Sequence, residues 1–346
     1  MSISNNRGHF FQSDRDLKNS EIRTFKSKLP SHLVGDPVDL KSKTLYLLHS
    51  ELLKDQAILA HSTGTIRFFG LKDKETKKLI RAHTTPVTCL DICQFEGSLL
   101  LASGAWDKTI KIWDIKTGKL LHTLIGHNDF IKTIKFRINP QSELTLYSGS
   151  SDGDIRLWSI SKESGKCQAV MKSNSGTIEN LQLSYDNATL FSCGSGDLSI
   201  KQWDLETLQV INTFEGHLTT VYRILVDEDV MWSASADKTI KRWNLVTKAN
   251  DVTFDHDDTV KSMCIWDKYL LTGGRDEKVY LWNIESDELI THYQGHWDEI
   301  MGLTVLPKDK ANTVPVVIST GLDGTIRYFD IESKFINYFM KFNIKF

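Results

Sequence analysis

One pattern, returning at near-constant spacing, restricts what this chain can fold into. In the stretch SGAWDKTIKIWD the hydroxyl of Ser103 is followed by Asp107, the β-branched Ile110, Trp113 and Asp114. The pattern recurs as Ser148, Asp152, Ile155 and Trp158, then as Cys193, Asp197, Ile200 and Trp203. It recurs again as Ser233, Asp237, Ile240 and Trp243, and as Thr272, Asp276, Val279 and Trp282. Ser319, Asp323, Ile326 and Phe329 keep all but the indole, and Thr63, Ile66 and Phe69 form a degenerate opening copy. Successive aspartates lie 45, 45, 40, 39 and 47 residues apart. A unit of this length cannot bury its own apolar face and must stack on its neighbours. A period in the forties is that of a propeller, with one four-stranded sheet per repeat.

A histidine stands upstream of most copies. Gly126-His127, Gly216-His217 and Gly295-His296 are regular, and Ala82-His83 and Asp255-His256 are variants. Fifteen or more residues separate each histidine from its aspartate, room for a strand, a turn and most of another strand. Together these residues resemble the WD-repeat family over about residues 44 to 340. The resemblance implies an all-β fold, a seven-bladed β-propeller of four-stranded antiparallel sheets. Residues 38–346 are then a single propeller domain and residues 1–37 a partly ordered N-terminal arm.

The second repeat sets the expected blade: strand a over 87–92, b over 99–103, c over 110–114 and d over 120–124. The b–c hairpin turns at Asp107-Lys108, and elsewhere at Asp152-Gly153 or Asp323-Gly324, pairs that tolerate the positive φ of tight turns. Phe335 to Phe339 stands where Lys119 to Thr123 stands in the second repeat, so the C-terminus is expected to supply its own outer strand.

Serine, histidine and aspartate in one unit invite a hydrolase reading. Multiplicity opposes it, because an active site is needed once and this set recurs. A structural account uses every group. Trp Nε1–H only donates, a hydroxyl both accepts and donates, neutral histidine does the same, and the carboxylate takes the last proton. The expected networks are His83, Ser103, Asp107 and Trp113; His127, Ser148, Asp152 and Trp158; His217, Ser233, Asp237 and Trp243; His256, Thr272, Asp276 and Trp282; and His296, Ser319 and Asp323. The fourth repeat lacks the histidine, its d–a loop reading Ser173-Asn174-Ser175-Gly176, and Cys193 stands in the hydroxyl's place. The first has Leu59, Thr63 and Phe69 for Ser, Asp and Trp, so both repeats are expected to be looser.

A net charge of -2 argues against a strongly basic nucleic-acid binder, leaving any such contact weak or indirect. The five cysteines, 89, 93, 167, 193 and 264, contain no CxxC pair and read as reduced thiols of a cytoplasmic or nuclear protein. No apolar run approaches the ~20 residues that span a bilayer, so no membrane insertion is expected. No Gly-rich phosphate loop, metal cluster or single-copy acid–base pair is present, so neither cofactor nor metal nor catalysis is expected. The arm is basic, with Arg7, Arg15, Lys18, Arg23, Lys26 and Lys28 beside Phe10-Phe11.

The resemblance also implies that ligands sit over the central channel, on the face carrying the d–a and b–c loops. Carried over residue by residue, it gives two clusters: Trp106, Phe130 and Lys132 on blades two and three, and Tyr222, Lys261, Arg275 and Met301 around blade six. Exposed aromatics and arginine dominate interface energetics, and paired cations suit a carboxylate or phosphate. Against this, Trp106 can fold over its own hairpin, and Asp255-His256-Asp257-Asp258 would offset the blade-six cations. Trp232 and Trp266 read as packing residues, and Trp297 as a loop residue whose exposure the sequence leaves open. The expected function is a non-catalytic scaffold that binds a peptide or loop of partner proteins, itself monomeric within a larger complex. One alternative is a ubiquitin-ligase substrate receptor. No F-box-like module precedes Leu40, and Trp113-Asp114-Ile115-Lys116 and Trp203-Asp204-Leu205-Glu206 lack the Trp-Asp-x-Arg motif. A second alternative is a ribonucleoprotein assembly factor touching RNA through the basic arm.

Overall fold

Burial within a blade falls from the inside outward, and residue types follow it. Strand b of the second blade, Ser98–Ala105, is almost wholly buried, whereas strand d, Leu120–Ile125, is largely exposed. A strand covered on both faces by neighbouring sheets loses the apolar–polar alternation, which is why Leu-Leu-Leu-Ala reads as a continuous run. The computed structural model describes residues 20–21, 24–26, 28–29, 31–139, 141–172, 176–196, 198–307 and 315–331. Seven four-stranded antiparallel sheets form a seven-bladed β-propeller. Strand a of each blade packs on strand a of the next. Thr44–Leu48 touches Val87–Phe95 on one side and Ile300–Leu306 on the other, so the ring closes around a central channel. The expected blade-two strands all form, each one to three residues longer than expected at one end or both.

The seventh blade departs from expectation. Its strands Ile300–Leu306, Val316–Gly321 and Thr325–Asp330 are completed by Asp36–Asp39, which pairs antiparallel with Thr325–Asp330 from Asp36↔Tyr328 to Asp39↔Thr325. The outer strand therefore comes from the N-terminal side, not from Phe335–Phe339, which lies outside the described residues. Pro37, lacking an N–H, is tolerated because this is an edge strand. Just before it a helical turn, Ser31–Val34, bridges blades six and seven. Leu33 O accepts from Gln294 N at 2.8 Å, and Val34 O accepts from the buried Arg327 guanidinium at 2.8 Å. Gly295 makes the crossing possible, since a Cβ there would overlap the Val34 carbonyl oxygen. Lys26 reaches Glu277 and the His296 carbonyl. Arg7, Phe10-Phe11, Arg15, Lys18 and Arg23 lie outside the described residues.

One irregularity is common to all seven blades. Strand a opens with a β-bulge that leaves its second residue unpaired: Leu45, Thr88, Lys132, Glu179, Tyr222, Lys261 and Met301. A bulge bends its strand and re-aims the extra side chain.

Candidate functional site

In blade three the Trp158 indole donates to Ser148 Oγ at 2.8 Å, and Ser148 Oγ meets His127 Nε2 at 2.7 Å. His127 Nδ1 meets Asp152 at 2.9 Å. Blade two repeats this with Trp113, Ser103, His83 and Asp107, and blade five with Trp243, Ser233, His217 and Asp237. In blade seven His296 joins Ser319 and Asp323, and Phe329 packs on Tyr293 where the indole would stand. Burial pushes the His83, His127 and His296 imidazoles below their ordinary value despite the neighbouring carboxylates. Each is thus neutral, with the Nδ1 proton donated to aspartate and Nε2 accepting from serine. Burial pushes the Asp323 carboxyl up, but His296 and Thr325 outweigh it and hold it at about 2. The same balance, with His217, Thr239 and the Leu218 N–H, holds Asp237 well below the usual carboxylate range. Ser103, Ser148, Ser233 and Ser319 have no exposed surface, so no substrate reaches their Oγ atoms.

Two blades differ from the sequence reading. In blade four Trp203 donates to Ser192 Oγ at 2.8 Å, so Ser192, not Cys193, occupies the hydroxyl position. Ser192 pairs with Lys201 as Ser103 pairs with Lys111, and the intervening hairpin is one residue longer, which displaces the spacing. Asp197 and Ser173-Asn174-Ser175 lie outside the described residues. In blade six Trp282, Thr272 and His256 are linked, but His256 Nδ1 and Asp276 stay 3.9 Å apart and unbonded. In blades two, five and seven Thr109, Thr239 or Thr325 donates to the turn aspartate, and Lys111, Lys241 or Arg327 follows two residues later. Blade six has Lys278 and Tyr280 at these places. Both engage Asp257 instead, at 2.5 and 3.2 Å, and the Tyr280 ring packs edge-on against His256.

At the channel end carrying the d–a and b–c connections, all seven bulged residues line one cavity of about 460 Å³. Trp106 lines it too and stacks on Phe130 with ring centroids 5.0 Å apart, the two side chains 43% and 37% exposed. Trp106 therefore meets the next blade rather than folding over its own hairpin. Lys132 pairs with Glu179 at 3.3 Å. Lys261 lies over the Tyr222 ring at 4.9 Å and pairs with Glu299 at 2.9 Å, while Arg275 approaches Glu299 at 4.0 Å. Glu299, rather than the Asp255–Asp258 loop, offsets the blade-six cations. Phe130 and Arg275 stand outside the cavity lining, against residues that form it.

The model of the WD domain, G-beta repeat family matches residues 74–114, 118–159, 165–204, 208–244 and 250–283. The chain is a WD-repeat protein. Each matched segment runs from strand d of one blade to strand c of the next, so the sequence repeat straddles two blades and ties them together. An uncharacterized WD repeat-containing protein of Schizosaccharomyces pombe is 29% identical over 95% of this chain and 90% of its own length. A CCR4-associated factor 4 homolog of Vanderwaltozyma polyspora is 28% identical over 65% of this chain and 33% of its own. A p21-activated protein kinase-interacting protein 1-like of Xenopus laevis is 26% identical over 72% of this chain and 66% of its own. The chain thus spans a third of the second of these relatives and nearly all of the first.

Position by position, the resemblance also points to Glu179 and Glu299 beside the strand-a starts, and both line the cavity, although nothing in the sequence pairs them with Lys132 and Lys261. Tyr46 and Arg223, which follow bulges, were missed in this WD-repeat protein. The bulge breaks the period-two pattern, so no alternation marks residues facing the axis. Trp232 is buried, stacked on Phe254. Trp266 stacks on Tyr269, and Trp297 is half-buried with Arg327 over its ring.

Proposed function

We propose that this WD-repeat protein is a non-catalytic interaction scaffold whose channel mouth takes a peptide or loop of a partner protein. The observation that carries this reading is the convergence of one bulged residue per blade on a single cavity, beside the exposed Trp106–Phe130 stack. Exposed aromatics at a concave site supply most of the energy of a protein contact. The buried Ser-His-Asp sets support a structural role, since their oxygens and nitrogens are spent on one another. Relatives named as CCR4-associated and as kinase-interacting fit an interaction role. Free thiols at all five cysteines fit a reducing compartment, cytoplasm or nucleus.

The test is quantitative affinity capture of the wild type beside a Trp106→Ala/Phe130→Ala variant of equal melting temperature. Loss of a discrete set of proteins from the variant supports the mouth as the binding face. An identical set on both removes it.

A further inference from the structure

Arg223 is set apart by its place in the ring. The residue after each strand-a bulge is small or short in five blades: Cys89, Thr133, Asn180, Ser262 and Gly302. In the other two it is Tyr46 and Arg223, on blades one and five, which are not neighbours. The Arg223 guanidinium nevertheless lies 4.8 Å from the centre of the Tyr46 ring, so the pair meets across the axis. Both residues line the mouth cavity and a second cavity of about 440 Å³ deeper in the channel. Together they form the floor of one and the roof of the other.

Charge accounting around this floor is uneven. Of the cations lining the two cavities, Lys43, Lys132, Lys261 and Lys135 each have a carboxylate within 4 Å, on Asp298, Glu179, Glu299 and Asp91. Arg223 has no carboxylate and no hydrogen-bond acceptor among the described residues. Asp227 lines the deeper cavity without pairing with it. A guanidinium held by an aromatic face keeps its five donors for a ligand, and its planar fork suits a carboxylate or phosphate.

We propose that Arg223 is an anion receptor at the floor of the mouth and that the partner segment inserts an acidic side chain, a carboxylate or phosphate, beside an apolar one. The apolar neighbour meets the Trp106 and Tyr222 rings at the rim, where the lysines are already neutralised. This rests on the reading of the mouth as the partner site and adds the chemistry of what enters it.

The test uses the full chain and three fluorescein-labelled peptides, alternating leucine with glutamate, glutamine or phosphoserine, read by anisotropy. Saturable, salt-weakened binding of an anionic peptide and weaker binding of the glutamine peptide are expected. Arg223→Met should weaken the anionic peptide on the order of 30-fold, with Arg223→Lys in between, at unchanged melting temperature. The tighter of the glutamate and phosphoserine peptides identifies the anion. Equal affinity for glutamate and glutamine peptides, wild-type affinity in Arg223→Met, or no saturable binding of either anionic peptide in the millimolar range overturns the proposal. Retention by Arg223→Met with loss in Trp106→Ala/Phe130→Ala overturns it while leaving the mouth as a binding face.

Discussion

At His127 the imidazole gives one proton to Asp152 and takes one from Ser148. Removing the ring strands the buried Ser148 hydroxyl proton without its acceptor and takes from Asp152 its imidazole donor, leaving that carboxylate only backbone N–H groups. That loss is worth about 1–3 kcal/mol, and His127→Ala should lower the melting temperature accordingly. Asp276→Ala in blade six should cost clearly less, because no His256–Asp276 bond exists to lose. The pH dependence follows from the same burial. His61 is pushed down to about 4 by burial and by Arg67, and His83, His127 and His296 are also lowered, whereas in the unfolded chain each titrates near 6.5. Between those values the unfolded state binds more protons, so stability is full above 6.5 and declines as pH falls towards 4. Melting curves of wild type, His127→Ala and Asp276→Ala from pH 7.5 to 4.5 check all of this. The wild-type fall should begin near 6.5 and be shallower in His127→Ala. A pH-independent wild type, or equal costs for the two variants, would contradict the neutral-imidazole account.

Among strands and turns, legibility followed the side chains that carry a mechanism. Trp113, Ser103, His83 and Asp107 announce their network because each needs the next. The Ser192 network was misread because a hairpin one residue longer moves the hydroxyl without changing the aspartate-to-tryptophan pattern. Closure was misread for a different reason. Asp36–Asp39, reading Asp-Pro-Val-Asp, has neither the length nor the alternation of a strand, and only its pairing with Thr325–Asp330 makes it one. The channel mouth was partly legible, since its aromatics and lysines lie at repeat-equivalent positions, but the bulges that aim them are backbone events with no residue signature. The helical turn beside the closing strand depends on the missing Cβ of Gly295. Gly295→Val should push Ser31–Val34 off blades six and seven, cost about 1–3 kcal/mol, and speed hydrogen exchange at Gln294, whose N–H donates to Leu33 O. An unchanged Gln294 exchange rate would show that the crossing bears no load.

Taken whole, the ring separates two tasks. Buried clamps between neighbouring strands hold each blade, and bulged residues at the axis present a surface that no blade could build alone. Such a platform needs no moving part to bind, so partner contact should be confined to one end. Photo-cross-linking tests this most directly, with p-benzoylphenylalanine placed at Trp106 in the mouth or at Val246, an exposed turn residue at the opposite end of blade five. Discrete adducts from position 106 and none from position 246 are predicted; adducts from 246 with none from 106 would contradict the account.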